Sequence, residues 1–383
     1  MRRKTRRALI NVILFCSALF FILFLGGNGS ASSNRTVTWT TVRYKPKSTN
    51  IPEARGICPG LVDSSKPALV VARVAADNDT KWLDRLANKY HFCIYTADAP
   101  LDKTTTSLQV PENRGHEAMA YLTFLIDNYN RIPSAGAVFV HGSRWSWHND
   151  SPDYDNVNLL AALNISSALA PWGYHNLRCD WSASTCPTSE VAQGSFEKSF
   201  SAMLEPWNQR AVSDAALPHA LTALFDDSEL LTQGSGPQLG RNDVLRSQCC
   251  AQFVVSRESI WRHSRQEYIA LRQWLLDGSK QRAGRRPPSN SNAAPQDDRI
   301  AGRILSYVWH ILFLQTGYQV TASTTEHIDL DRLNVLACPS AAECYCRLYG
   351  RCNLEHCTIG RCHGQYSIPQ GFRLPEDWAA THL

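Results

Sequence analysis

Apolar residues fall in blocks of two kinds along this chain. The first is long. ALINVILFCSALFFILFLGG, from Ala8 to Gly27, has Asn11 and Ser17 as its only polar residues and carries no charge. A run of that length spans a hydrocarbon core as a helix. The later blocks are short. KPALVVARV reads as a strand buried on both faces, HFCIYTAD as a strand by its β-branched and aromatic content, and AGAVFVHG as a third strand. TKWLDRLANKY reads as a helix behind Asp79 or Thr80. PENRGHEAMAYLTFLIDNYNRIP reads as another, with Ala118, Leu122, Leu125 and Ile126 on one face and Ile132-Pro133 as its stop. Strand, helix, strand, helix, strand predicts an α/β fold with a mostly parallel sheet and flanking helices.

Further along, Leu159 to Leu169 reads as helical, Tyr174 to Trp181 as a short strand, and QCCAQFVVSRESI as a strand running into a turn. RQEYIALRQWLLDG and GRILSYVWHILF read as helices. Residues 195–241 are polar and ambiguous. The expected organisation is a basic tail over 1–7, a signal-anchor over 8–27, a stem over 28–66 rich in Ser, Thr, Pro and Lys, and an α/β domain over 67–335. A mobile low-complexity insertion is expected over 279–298 and a cysteine-rich tail over 336–383. There is no internal repeat.

Charge changes the picture at one end. The chain has 39 Lys and Arg against 34 Asp and Glu, a net charge of +5. Arg2, Arg3, Lys4, Arg6 and Arg7 account for the excess. That flank should stay cytoplasmic and send the rest across, in a single-pass type II arrangement in the ER or Golgi lumen or at the cell surface. A cleavable signal peptide, cut near Gly29 to Ser32, is the alternative. The remaining chain is nearly neutral, and no nucleic-acid footprint is visible.

Thirteen cysteines, all but Cys16 beyond the apolar run, suit an oxidising compartment. Cys338, Cys344, Cys346, Cys352, Cys357 and Cys362 form a dense tail cluster that reads as a disulfide framework. Zinc with His356 or His363 is the alternative, but no C-x-x-C pair supports it. Cys58 can tie the stem to the core. Cys179 and Cys186 frame a small loop and are candidates to pair, whereas the neighbours Cys249 and Cys250 are expected to find distant partners. Sequons begin at Asn28, Asn34, Asn78, Asn149 and Asn164; Pro152 beside the one at Asn149 disfavours its modification, leaving Asn28, Asn34, Asn78 and Asn164 as glycosylation candidates.

In open α/β sheets ligands bind beyond the carboxyl ends of the strands. This directs attention to Arg73 to Asp79, to Thr96 to Asp98, and to HGSRWSWHND, His141 to Asp150. The last packs two histidines, two tryptophans, an arginine and an aspartate into ten residues. His141, His148 and Asp150 are the candidate catalytic groups. Arg73, Asp77, Asp79, Arg144 and Arg178 are candidates for a nucleotide diphosphate. Asp77, Asp79 and Asp150 are candidate ligands for Mn2+ or Mg2+. The plainer reading of Asp77 and Asp79 is a helix cap, and that of HGSRWSWHND is a polar loop anchored by its indoles. Glu112 to Glu117 reads as a capping arrangement, Arg257 and Glu258 are near enough in the topology to meet the site, and His310 reads as a core histidine. No G-x-S-x-G is present, so serine hydrolysis has no support.

The blocks LVVARVAADNDTKWL, VPENRGHEAMAYLTFLIDNY, VFVHGSRWSWHND, GYHNLRCDW, CCAQFVVSRESI, YVWHILF and CPSAAECYCRLYGRC together resemble a fungal family known only as domain of unknown function thirty-four thirty-one. That family is remotely similar to GT-A-fold glycosyltransferases in its strand–helix order and its AQF–VSR block. The resemblance implies transfer of a sugar from a nucleotide-sugar donor to a glycan, lipid or small-molecule acceptor. A non-catalytic glycan-binding or accessory protein, or a tailoring factor for a secreted metabolite, is the alternative on the same scaffold. Ser306 stands where the family pattern implies an acidic residue before Tyr-x-Trp-His, and His141-Gly142 stands where a metal-binding D-x-D is implied.

Overall fold

The computed structural model describes residues 10–19, 36–37, 41–46, 55–77, 79–99, 101–102, 107–225, 243–279, 292–315 and 328–362. The chain forms two compact units, Met1–Arg35 and Thr36–Leu383. In the first, the described residues 10–19 are helical. No described helix is long and apolar enough to cross a membrane; residues 8–9 and 20–27 of the expected anchor lie outside the described set.

The second unit is built on one six-stranded sheet. Strand β1 is Ala68–Arg73, β2 is His91–Thr96 and β3 is Leu108–Gln109. Helix α1, Glu117–Asp127, precedes β4, Ala137–His141. Helices α2, Asn156–Ala162, and α3, Ile165–Leu169, lead to β5, Tyr174–Asn176. Helices α4, Phe196–Leu204, and α5, Gln209–Phe225, lie before β6, Phe253–Val255. After it come α6, Arg257–Trp261, α7, Arg265–Ser279, α8, Asp298–Ser306, and α9, Trp309–Phe313. The chain continues with α10, Leu330–Ala337, and α11, Ala341–Tyr349.

The spatial order is β3-β2-β1-β4-β6-β5. β1 pairs parallel with β2 (Ala68 opposite His91) and with β4 (Ala68 opposite Ala137), and β2 pairs parallel with β3. β6 runs antiparallel to both β4 and β5. Five strands therefore point one way and β6 alone opposes them. The expected parallel α/β sheet is present, and the antiparallel β6 is an addition that the QCCAQFVVS pattern did not announce.

Alternation along β1 and β4 feeds two cores. Ala68, Val70, Ala137 and Phe139 face a large cluster with α1, α5, α7, α8 and α9, in which Phe139, Phe253, Tyr121 and Trp309 pack ring against ring. Leu69, Val71, Val138 and Val140 face a smaller cluster with α2, α11 and the 3₁₀ turn Lys81–Leu86. That turn is the expected TKWLDRLANKY helix, shortened and tightened. Helix α1 is buried all round from Ala118 to Ile126, not on one face, because α7 covers its outer side.

Two stretches left open by the sequence gain detail. The ambiguous stretch 195–241 contains α4 and the seventeen-residue α5. The expected insertion at 279–298 lies largely outside the described residues, but Ser279 closes α7 and Ala293 and Ala294 are buried.

The cysteines are also rearranged. Cys58–Cys93 ties the stem side to β2 as expected. All six tail cysteines are oxidised: Cys346–Cys352 and Cys357–Cys362 close small loops within the tail. Cys179 and Cys186 do not pair with each other; they join Cys344 and Cys338 across separations of 165 and 152 residues. Cys249 and Cys250 join each other instead of distant partners. Spacing along the chain carried no signal for these choices, because the fold brings β5 against α11 and leaves the 249–250 turn at the sheet edge.

Candidate functional site

The order 3-2-1-4 reverses direction between β1 and β4, which makes their carboxyl ends the switch point at which open α/β sheets take ligands. The loops leaving these ends touch. A methyl group on Gly142 would lie within 2.8 Å of both Arg73 Cα and Asp77 Oδ2, so the glycine lets HGSRWSWHND close onto the β1 loop. Asp77 Oδ2 accepts from Val74 N–H at 2.9 Å, and Asp98, after β2, accepts from Ala75 N–H at 2.9 and 3.0 Å. Two carboxylates thus fix consecutive backbone donors at the end of β1.

His141 ends β4. Its Nε2 lies 2.7 Å from the carbonyl of Cys250. A carbonyl only accepts, so Nε2 carries the proton and Nδ1 faces Glu117, 3.9 Å away at the start of α1. The His148 ring stacks on His141 at 4.9 Å and lies tilted against Trp147 at 4.1 Å, and its Nδ1 is 2.9 Å from Ser146 Oγ. Both histidines are partly exposed. Gln252, just before β6, knits this edge: it accepts from His141 N–H at 3.3 Å and donates to Asn149 Oδ1 at 3.2 Å.

The half-buried Cys249–Cys250 ring lies beside this edge, because antiparallel β6 begins where β4 and β5 end. The Cys249 carbonyl accepts from Asn176 Nδ2 at 3.2 Å. Cys250 and Ala251 have φ of 85° and 47°, a region that costs non-glycine residues energy and is held only where the surroundings fix it. Sequence reading missed this turn and Gln252, took Glu117 for part of a cap, and pointed to Asp98 without a role. The AQF block was the one signal for Gln252.

Other expected site residues are committed elsewhere. Asp150 is wholly buried; its carboxylate accepts from the N–H groups of Cys179 (2.5 Å) and Asp180 (3.2 Å) and from Tyr345 O–H (2.9 Å). Arg144 forms a two-pronged pair with Asp155 at 3.0 and 2.8 Å, which holds the guanidinium pKa up. Arg178 is buried and donates to Trp147 O, Ser182 and Asp180. Asp79 accepts from Lys81 N–H at 3.1 Å, as a cap does, and lies 3.8 Å from the Lys81 ammonium, exposed to solvent. The structure therefore brings together Arg73, Asp77, His141 and His148 at the edge, and sets Asp79, Arg144, Asp150 and Arg178 to other tasks.

Asp77, Asp79 and Asp150 do not converge on one point, so these residues do not fit a divalent cation. Among the described residues the one metal-sized group is Cys58, His91 and Cys93, and its two sulfurs are already joined. Arg257 is half-buried beside Glu258 and over Trp261. Ser306 donates to Arg303 O. His310 is buried in α9, where desolvation pushes its pKa down to about 3. Asn149 is buried and donates to Arg144 O and Tyr154 O, whereas Asn164 is exposed at the start of α3. Asn28, Asn34 and Asn78 lie outside the described residues.

A cavity of about 510 Å³ lies elsewhere, along the outer edge of β5 between Trp172, His175, Arg246, Glu343 and Arg347. Its aromatic faces are already covered. Arg332 sits over Trp172 at 5.2 Å and Gly360 lies against Trp181. The topological argument and the two histidines stacked at the strand ends favour the β1–β4 edge.

With this geometry in hand, the sequence comparison decides the family. Residues 69–347 match the family described as protein of unknown function, DUF3431. The chain belongs to that family. No curated protein and no solved structure matches it. The matched span runs from β1 to the middle of α11, so it takes in both long-range disulfides and the whole candidate site.

Proposed function

We propose that this DUF3431 protein is a membrane-tethered, lumenal glycosyltransferase-like protein that takes a nucleotide-sugar donor beyond the carboxyl ends of β1 and β4. The observation that carries the reading is the closure of the two loops at Gly142, which sets Arg73, Asp77 and the His141–His148 stack at the switch point. The GT-A resemblance supplies the reaction class, and by itself that is fold-level analogy. Departure of a nucleoside diphosphate needs neutralisation of developing negative charge. In this chain Arg73 is the group to supply charge and His148 the imidazole to donate a hydrogen bond, with His141 positioning it by stacking; because the carboxylates do not fit a cation, no step is assigned to a metal. The twelve paired cysteines support a lumenal address, and the basic flank with its apolar run supports the tether.

A second reading, a non-catalytic glycan-binding protein, is favoured by one specific observation: Asp77, Asp98 and Asp150 all spend their carboxylates on backbone N–H groups, and Ser306 supplies none. Thermal shift of the full chain against nucleoside diphosphates, nucleotide sugars and free glycans, with and without Mn2+, separates the two. A ligand at 100 times its Kd stabilises by about 2.7 kcal/mol. Stabilisation by nucleotides, lost in His148→Ala without a change in the unliganded Tm, is the expected result. A response to glycans alone selects the binding reading, and no response to either class sinks both.

A further inference from the structure

Helix α4 presents an apolar stripe to solvent. Phe196, Phe200, Met203 and Leu204, with Trp207 just beyond, are 84, 44, 67, 57 and 76 % exposed. The spacing of the first four, i, i+4, i+7 and i+8, puts them on one side of the helix, and Trp207 follows in the turn after it. Phe196 and Phe200 stack at 5.9 Å, so the stripe is continuous. No α4 residue is buried. Soluble surfaces rarely gather five large apolar side chains in one patch, and such a patch marks an interaction site.

The opposite side of α4 is fixed to the body by charge. Lys198 bridges Glu190 at 3.0 Å and Asp214 of α5 at 3.4 Å, and Arg210 also reaches Glu190 at 3.1 Å. Ser195 caps the helix through Lys198 N–H. The stripe is thus held in place facing outward rather than left over from loose packing. Glu197 and Glu205 flank it, and no lysine or arginine lies on the apolar side.

We propose that the α4 stripe inserts into the outer part of a lipid bilayer, as an in-plane interfacial helix of the lumenal unit. The inference rests on the tether in the reading above: a chain anchored by residues 8–27 meets that bilayer at high effective concentration. The residue types fit the task. Phe, Met and Leu enter the acyl boundary, and Trp207 suits the headgroup level. The acidic flanks and the lack of basic residues exclude attraction to anionic lipid as the driving force, so insertion proceeds on zwitterionic lipid. A protein partner, including a second copy of this chain, is the competing occupant.

The test uses the full chain reconstituted into phosphatidylcholine vesicles whose acyl chains are brominated near the headgroup. Trp207 emission is read as the difference between the wild type and Trp207→Phe, and flotation reports whether the chain is held by the vesicles. Quenching of the Trp207 signal by about half or more, as shallow burial predicts, and its loss in Phe196→Ser/Phe200→Ser, is the expected result. Flotation without quenching overturns the proposal while leaving the tether standing; if light scattering then shows two copies, the stripe is a dimer face. Failure of the wild type to float overturns the tether and the proposal with it.

Discussion

The two faces of the sheet are built by different means. The face that meets α1, α5, α7, α8 and α9 closes over a large aromatic core in which Phe139, Phe253, Tyr121, Trp274 and Trp309 are all buried, and no disulfide joins those helices. The opposite face meets only short helices and a turn, around a core of about half as many residues. There Cys179–Cys344, with both residues in the smaller core, fastens α11 to the chain after β5, while Cys338 of the Cys186–Cys338 bridge packs against the larger core. The large core holds its helices chiefly by apolar burial, its Cys58–Cys93 bridge tying the stem side to β2 and no helix to another, whereas the small core carries a bridge into one of its own helices, Cys179–Cys344 in α11. The candidate site lies on the edge where the two constructions meet. His141 belongs to the first side, with Glu117, and Asp150 to the second, with Tyr345.

Breaking the staple should have the largest effect. Replacing Cys179 and Cys344 together by alanine removes the bridge between segments 165 residues apart, within which Cys186–Cys338 still closes 152, and removal of a native bridge costs about 2–5 kcal/mol. Replacing Cys346 and Cys352 opens a separation of six and should cost about 2 kcal/mol on the same scale. Denaturant unfolding of both variants checks the order. Equal losses would mean that the tail does not depend on its long-range bridge.

Asp150→Ala sharpens the same contrast. It strips a buried acceptor from Cys179, Asp180 and Tyr345, so a loss of about 3 kcal/mol is expected from a network left unsatisfied. Tm and ligand response should fall together, as a structural carboxylate requires. An unchanged Tm with lost ligand response would return Asp150 to the site.

The last effect is negligible at neutral pH and appears only in acid. Burial lowers the His310 pKa to about 3, and burial lowers His175 to about 4 with the Arg347 charge assisting. Each depressed histidine is neutral in the fold and charged in the unfolded chain below its ordinary pKa of about 6.5. The unfolded state therefore binds more protons, and stability falls as pH drops from about 6.5 towards 4, by up to about 1.4 kcal/mol per pH unit for each group. Neither His310 ring nitrogen has a hydrogen-bond partner among the described residues. His310→Leu should flatten the acid limb by one histidine's share in Tm measured against pH. A limb that keeps its full slope would show that carboxylates alone set it.

The site was legible in part. The rule about strand ends located the loops at Arg73 to Asp79 and His141 to Asp150, and Gly142 shows them in contact. It did not say which side chains turn outward. Asp150 and His148 are two residues apart, yet one is buried beneath the tail and the other stacks at the edge. The D-x-D string looked like a cation site, but Asp77 turns to Val74 and Asp79 to Lys81. Local capping geometry, which extends over two or three residues, overrode the composition of the motif.

What the sequence determined by itself was whatever depends on short-range pattern. A continuous apolar run specified β1, β-branched and aromatic content specified β2, helical spacing specified α1, and cysteine density implied disulfides. What only the tertiary structure decided was everything that depends on contacts between distant segments. The direction of β6, the partners of Cys179 and Cys186, the self-pairing of Cys249 with Cys250, and the commitment of Asp150 to Tyr345 across 195 residues all belong there. Backbone periodicity is a local property that each segment carries with it. Pairing and hydrogen-bond partnership are settled only when packing brings two such segments within reach, and nothing in either segment alone names the other.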